Sequence, residues 1–123
     1  LSPAVDLVTK TGDEDQINDP LLSPQAIKFY SKSYTGTEDA KNPLISPVYG
    51  DLTGLPPLLV HAGEDEMLRA DAVRLVDLAR ACGVEARLEV YPDMWHVWQL
   101  FMELPQAVKS LDEIAGFLVS HLE

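Results

Sequence analysis

Two short stretches of this chain combine residue types that move protons. Gly63-Glu64-Asp65-Glu66-Met67 follows the apolar run Leu58-Leu59-Val60-His61-Ala62, and Tyr91-Pro92-Asp93-Met94-Trp95-His96 closes the run that begins at Ala86. An imidazole that shuttles a proton needs a carboxylate on its other ring nitrogen, to fix the tautomer and to stabilise the imidazolium as it forms. Asp65 is suited to be that carboxylate, because it leaves a buried strand close to the start of a helix, where negative charge is favoured. His96 is suited to be the imidazole, because Pro92, Met94 and Trp95 restrain its loop. No serine of the chain stands in a G-x-S-x-G turn. An acid and a base are therefore present without the nucleophile they would activate.

Spacing alone leaves other readings open. An acid after a strand also caps the helix that follows, and a histidine between Trp95 and Trp98 also packs as an aromatic. A metal site built from His61, Asp65 and His96 is disfavoured, since the sequence holds no H-x-H or H-x-x-x-H cluster. His61, inside the first apolar run, reads as a core or sheet-face residue. His121 reads as a surface residue beside the negative end of the last helix.

The elements that must position these residues follow from the pattern around them. Leu58–Ala62 is a short continuous apolar run ending at Gly63, as in a strand buried on both faces. A helix is predicted from about Arg69 to Cys82, with Ala72, Val73, Val76 and Ala79 at helical spacing and Gly83 to stop it. Ala86–Tyr91 alternates enough to be a second strand, closed by Pro92. The last helix is predicted from near Pro105 to Leu122, with Val108, Leu111, Ala115, Leu118 and Leu122 on its apolar stripe. Strand, helix, strand, helix implies two parallel strands joined by a right-handed crossover, an α/β arrangement. A helix of about 14 residues spans roughly 21 Å and a strand of about six spans roughly 20 Å, so the helix returns the chain to the level where the first strand began. Residues 65 and 96 then sit just past the carboxyl ends of neighbouring strands, the edge where open α/β sheets place ligands.

Ahead of this unit, Pro3, Gly12, Pro20 and the acidic run Asp13-Glu14-Asp15 make residues 1–23 loop-like. Ser23 can cap a helix with Pro24 in its first turn. Seven Gly and Pro residues make 35–57 irregular.

The 123 residues suit one domain, and 46% apolar residues argue for a packed core. The net charge of −11 disfavours nucleic acid and anionic membrane surfaces as partners. A single cysteine, Cys82, makes no intrachain disulfide, and no apolar stretch approaches the ~18 residues of a membrane helix. The expected location is cytoplasmic.

Leu1-Ser2-Pro3 with Asp6-Leu7, Asn18-Asp19-Pro20-Leu21-Leu22-Ser23, Ile45-Ser46-Pro47, Leu55-Pro56-Pro57-Leu58-Leu59-Val60, Gly63-Glu64-Asp65-Glu66 and Met94-Trp95-His96 follow one another in a recognisable order. Together they resemble the C-terminal part of the hormone-sensitive-lipase-like branch of the α/β-hydrolase fold, a carboxylesterase and lipase family. The resemblance implies that residues 1–123 are the C-terminal portion of a single α/β-hydrolase domain, holding the last two parallel strands and flanking helices, with the N-terminal strands and nucleophile elbow elsewhere. It implies hydrolysis of small-molecule carboxylic esters through an acyl-serine intermediate without a cofactor, with Asp65 as triad acid and His96 as general base. It also implies that Val97 and Trp98 line an acyl or alcohol pocket, with Leu100 and Phe101 in the core. The family has a glycine where this chain has Asp93, whose carboxylate is expected to face solvent.

Without a nucleophile or an H-G-G-type oxyanion loop, the chain by itself is expected to be catalytically silent. Its first strand, lacking a neighbour on one side, is expected to favour self-association through the open edge. A peptidase or thioesterase of the same fold, or a non-catalytic self-associating or binding module, are the competing functions.

Overall fold

The computed structural model describes residues 1–8, 17 and 19–122. Gly12, Asn18 and the acidic run Asp13-Glu14-Asp15, all invoked above, lie outside the described residues. Five principal elements follow in order: α1 (Pro24–Thr35), β1 (Leu58–Gly63), α2 (Arg69–Ala81), β2 (Ala86–Tyr91) and α3 (Pro105–His121). β1 and β2 pair in parallel, with Leu58 opposite Ala86 and Gly63 opposite Tyr91. The α2 crossover thus places the end of β1 beside the end of β2.

Side chains alternate across the pair, so each face has its own cover. Leu58, Val60 and Ala62 of β1, with Ala86 and Leu88 of β2, pack against Ala72, Val76 and Ala79 of α2. The other face presents His61 and Tyr91, whose rings lie 5.5 Å apart. Beyond Tyr91, Met94 and Trp98 pack with Ala107 of α3 in a second cluster. Thr35 closes α1, and the segment 36–57 is irregular apart from one 3-10 turn, Pro47–Tyr49.

α3 occupies the predicted residues but is turned by about one position from the predicted stripe. Ala107 and Ser110 are buried, whereas Val108, Leu118 and Leu122 are 43%, 48% and 78% exposed. The inward face escaped the hydrophobic pattern because it is partly polar. Ser110 Oγ lies 2.8 Å from His61 Nδ1 and accepts from Gln99 Nε2 at 3.2 Å. One turn on, Glu113 accepts from the Tyr91 hydroxyl at 2.6 Å. Polar partners repay the desolvation that would otherwise keep these side chains outside.

His61 is 1% exposed, as its place in β1 implied, and burial pushes its imidazole below the usual value despite the nearby Glu113 carboxylate. Because the folded state resists the proton, the unfolded chain takes it up first as pH falls below about 6.5. This group's contribution is therefore full above that pH and is lost as pH drops towards the depressed folded value. The expected result is a fall in the urea midpoint between pH 7.5 and pH 5.5 that is smaller in His61→Gln. Equal pH slopes in the two proteins would remove His61 as the cause.

The N-terminal segment is clasped to α2 by a buried carboxylate. Asp71 Oδ2 accepts from the backbone N–H of Val5 at 2.8 Å and of Asp6 at 3.0 Å. Asp6 in turn is paired with Arg74 and accepts from the Tyr49 hydroxyl. Burial raises the carboxyl of Asp71 above its ordinary value, and the two N–H bonds oppose that shift. Asp71→Ala would remove the carboxylate that accepts from both N–H groups, an expected loss of about 2–4 kcal/mol in urea unfolding. A loss below about 0.5 kcal/mol would show that water replaces the carboxylate.

Candidate active site

The turn after β1 and the turn after β2 are joined by backbone. Glu64 N–H donates to Tyr91 O and Asp65 N–H donates to Met94 O, each at 2.9 Å. Gly63 is the point of contact: a Cβ there would overlap Met94 O and lie 2.6 Å from Met94 C. Glycine is required by this close approach of two backbones. Met94 is buried below the second turn, and Asp93 above it is exposed with φ 57°. That left-handed conformation is one aspartate tolerates and glycine favours, which accounts for the glycine expected at this position.

The carboxylate brought to His96 is that of Glu66. Glu66 is fully buried, and its Oε1 lies 3.8 Å from His96 Nδ1. Both atoms are sealed from solvent and neither has a hydrogen-bond partner. The separation is longer than a hydrogen bond, as often found before substrate tightens a site. The other oxygen, Oε2, accepts from Ser2 Oγ and from Gly63 N–H, each at 2.7 Å. Asp65, the acid chosen from the sequence, is exposed, and its backbone N–H rather than its carboxylate ties it to the second turn. The difference between the two has a local cause: the chain continues one residue further before turning inward, so the third acid of the run faces the interior. A signal was present in Glu66 standing three residues after Gly63, the reach by which a glutamate returns to a backbone N–H in a capping box.

The turn bearing Glu66 is also fixed from the segment before α1. Asp19 Oδ1 accepts from Leu21 N–H and Leu22 N–H at 2.9 and 3.1 Å, while Oδ2 accepts from Met67 N–H at 3.3 Å. Ser23 then caps α1, accepting from Ala26 N–H.

The His96 side chain is 20% exposed, on the side away from the sealed Nδ1, and it borders a groove of about 800 Å³. Ser2 and Leu68 line the groove near His96, and Ile27, Tyr30 and Tyr34 line it from α1. Neither Val97 nor Trp98 does. Trp98 is fully buried against Tyr91, with ring centroids 5.0 Å apart, so it is a core residue. Val97, at φ 49°, serves through its backbone N–H, which donates to Ser2 Oγ at 3.4 Å. Leu100 and Phe101 depart in the opposite direction, being 76% and 39% exposed where core packing was expected. One cause explains both: the left-handed Val97 reverses the chain into a 3-10 turn over Trp98–Leu100, which inverts the inward and outward positions. Among the described residues no cluster of His, Cys, Asp or Glu is arranged to hold a metal, and no helix is long and apolar enough to cross a membrane.

Acid and imidazole beyond the ends of adjacent parallel strands define a class that comparison with known proteins identifies. A family model described as the alpha/beta hydrolase fold matches residues 1–100, and the chain belongs to that family. Within it, the chain is a C-terminal part of a hormone-sensitive-lipase-like hydrolase. A hormone-sensitive lipase from a metagenome library matches over 98% of this chain and 43% of its own, with TM-score 0.93 and 40% identity. An esterase from the bacterial hormone-sensitive lipase family matches over 100% of this chain and 42% of its own, with TM-score 0.93 and 39% identity. By sequence, an acetyl-hydrolase of Streptomyces hygroscopicus is 33% identical over 121 residues, covering 96% of this chain. An esterase of Acinetobacter venetianus is 36% identical over 126 residues, covering 98%. The chain spans 40% and 41% of the lengths of these two relatives.

Proposed function

We propose that this chain supplies the acid and base of a serine-dependent carboxylic ester hydrolase, with Glu66 as the acid and His96 as the base. The observation that carries the reading is the buried, otherwise unpartnered Glu66 Oε1 facing the equally unpartnered His96 Nδ1 at the border of the groove. In such a pair Nδ1–H is directed at Glu66, and Nε2 takes the proton of a serine hydroxyl as it attacks the ester carbonyl. The imidazolium then protonates the departing alcohol, and its charge is stabilised by the carboxylate throughout. The serine and the oxyanion donors come from outside these 123 residues. The groove, with Ile27, Tyr30 and Tyr34 along one wall, suits an apolar acyl or alcohol chain. The names of the relatives, acetyl-hydrolase and esterase, support the ester class.

The test is hydrolysis of short p-nitrophenyl esters, thioesters and peptide amides by the longer polypeptide carrying this chain and a G-x-S-x-G turn, beside the 123-residue chain alone. Ester turnover confined to the longer form and abolished by His96→Ala is expected. Turnover by the chain alone, or a longer form indifferent to His96, would end this reading, and amide or thioester preference would move it to another hydrolase class.

A further inference from the structure

The acid and base account for two side chains of the buried junction and leave a third without a role. Ser2 is 4% exposed and stands at φ 41°, a conformation uncommon for a residue with a Cβ. Its backbone N–H donates to His61 O of β1 at 2.9 Å, which holds the residue there. Its hydroxyl donates to Glu66 Oε2 at 2.7 Å and accepts from Val97 N–H, the residue after His96, at 3.4 Å. A serine hydroxyl has one proton to give, and here it is given to Glu66, so Ser2 is not itself a nucleophile directed at His96.

We infer that Ser2 is a positioning residue for the acid–base pair, joining strand β1, the Glu66 carboxylate and the His96 loop through its one hydroxyl and its N–H. This inference rests on the reading of Glu66 and His96 above. With Ser2 and Gly63 both donating to Oε2, the carboxylate is held at one oxygen and its other oxygen is presented to His96 Nδ1. Remove the hydroxyl and a single donor remains, about which the carboxylate group can rotate, while Val97 N–H loses its acceptor. Strained backbone conformations persist where the surroundings over-determine them, and the bonds of Ser2 supply that constraint.

The role is read from the tautomer of His96, which needs no nucleophile and no substrate. In the chain labelled with ¹⁵N-histidine, at a pH where imidazole is neutral, ring nitrogen shifts report whether Nδ1 or Nε2 carries the proton. The expected wild-type form has His96 protonated at Nδ1. Ser2→Gly suits the positive φ and removes the hydroxyl. It is expected to lose Nδ1–H as the major form of His96 while His61, bonded to Ser110, keeps its own signals. Ser2→Ala is expected to do the same.

Retention of the Nδ1–H form in Ser2→Gly, alongside its loss in Glu66→Gln, would overturn the role of Ser2 and leave the acid–base reading standing. Retention in Glu66→Gln, or a wild-type His96 protonated at Nε2, would overturn that reading and this inference with it. Loss of the folded His61 signals in both Ser2 variants would make Ser2 a folding residue, not a positioning one.

Discussion

Glu66→Gln is expected to lower ester turnover by about 10⁴-fold in the polypeptide that carries the nucleophile, without unfolding it. The size of the effect follows from which end of the new amide faces the imidazole. Gly63 N–H donates to Oε2 and has no other function in that bond than a donor, so the amide oxygen must take that position. The NH₂ group is thereby placed at Oε1, opposite His96 Nδ1. Nδ1 must then accept, which puts the ring proton on Nε2, the nitrogen that has to receive a proton from the nucleophile. A factor of 10⁴ corresponds to about 5 kcal/mol of transition-state stabilisation. The measurement is kcat for a short p-nitrophenyl ester with the urea midpoint determined in parallel. Activity within tenfold of the parent would show that His96 does not depend on Glu66. Asp65→Asn is the matched comparison and is expected to have little effect, because that carboxylate is exposed.

The second large effect is structural. Gly63→Ala is expected to destabilise the chain by more than about 3 kcal/mol, the upper end of ordinary overpacking. The added methyl would meet Met94 O, Met94 C and, at 2.9 Å, Trp95 O. All three are backbone atoms, so no side chain can rotate out of the way. The loop cannot retreat without stretching the bonds from Glu64 and Asp65 to Tyr91 O and Met94 O. Urea unfolding followed by tryptophan fluorescence is an apt measurement, since Trp95 lies in the displaced turn and Trp98 in the 3-10 turn that follows it. An unchanged midpoint would mean that the two turns are not held as closely as described.

These expectations draw on parts of the molecule that differ in how far the sequence revealed them. The βαβα order was legible because each boundary is marked by a residue with one local consequence: Ser23 and Pro24 begin α1, Gly83 follows α2 at φ 77°, and Pro105 begins α3. The burial of His61 was legible from its place inside the apolar run of β1. That Glu66 and not Asp65 faces His96 was not legible, because three consecutive carboxylates differ only in where the turn points them, and backbone contacts with Met94 decide that. The phase of α3 was missed because its inward face pairs Ser110 and Glu113 with His61 and Tyr91, partners distant in sequence. Trp98 and Leu100 exchanged their expected environments because the left-handed backbone at Val97 is invisible to an apolar pattern.

Asp19 gives one of its oxygens to the approach to α1 and the other to Met67, the neighbour of Glu66. The wall of the groove and the turn that carries the acid are thus hung from a single side chain. Exchanging α1 together with the segment before it would also disturb the turn that carries Glu66, and a graft that begins at Ser23 inherits the native anchor whereas one that begins before Asp19 replaces it. Selectivity and turnover should therefore drift together across chimeras cut upstream of Asp19 and separate in those cut downstream.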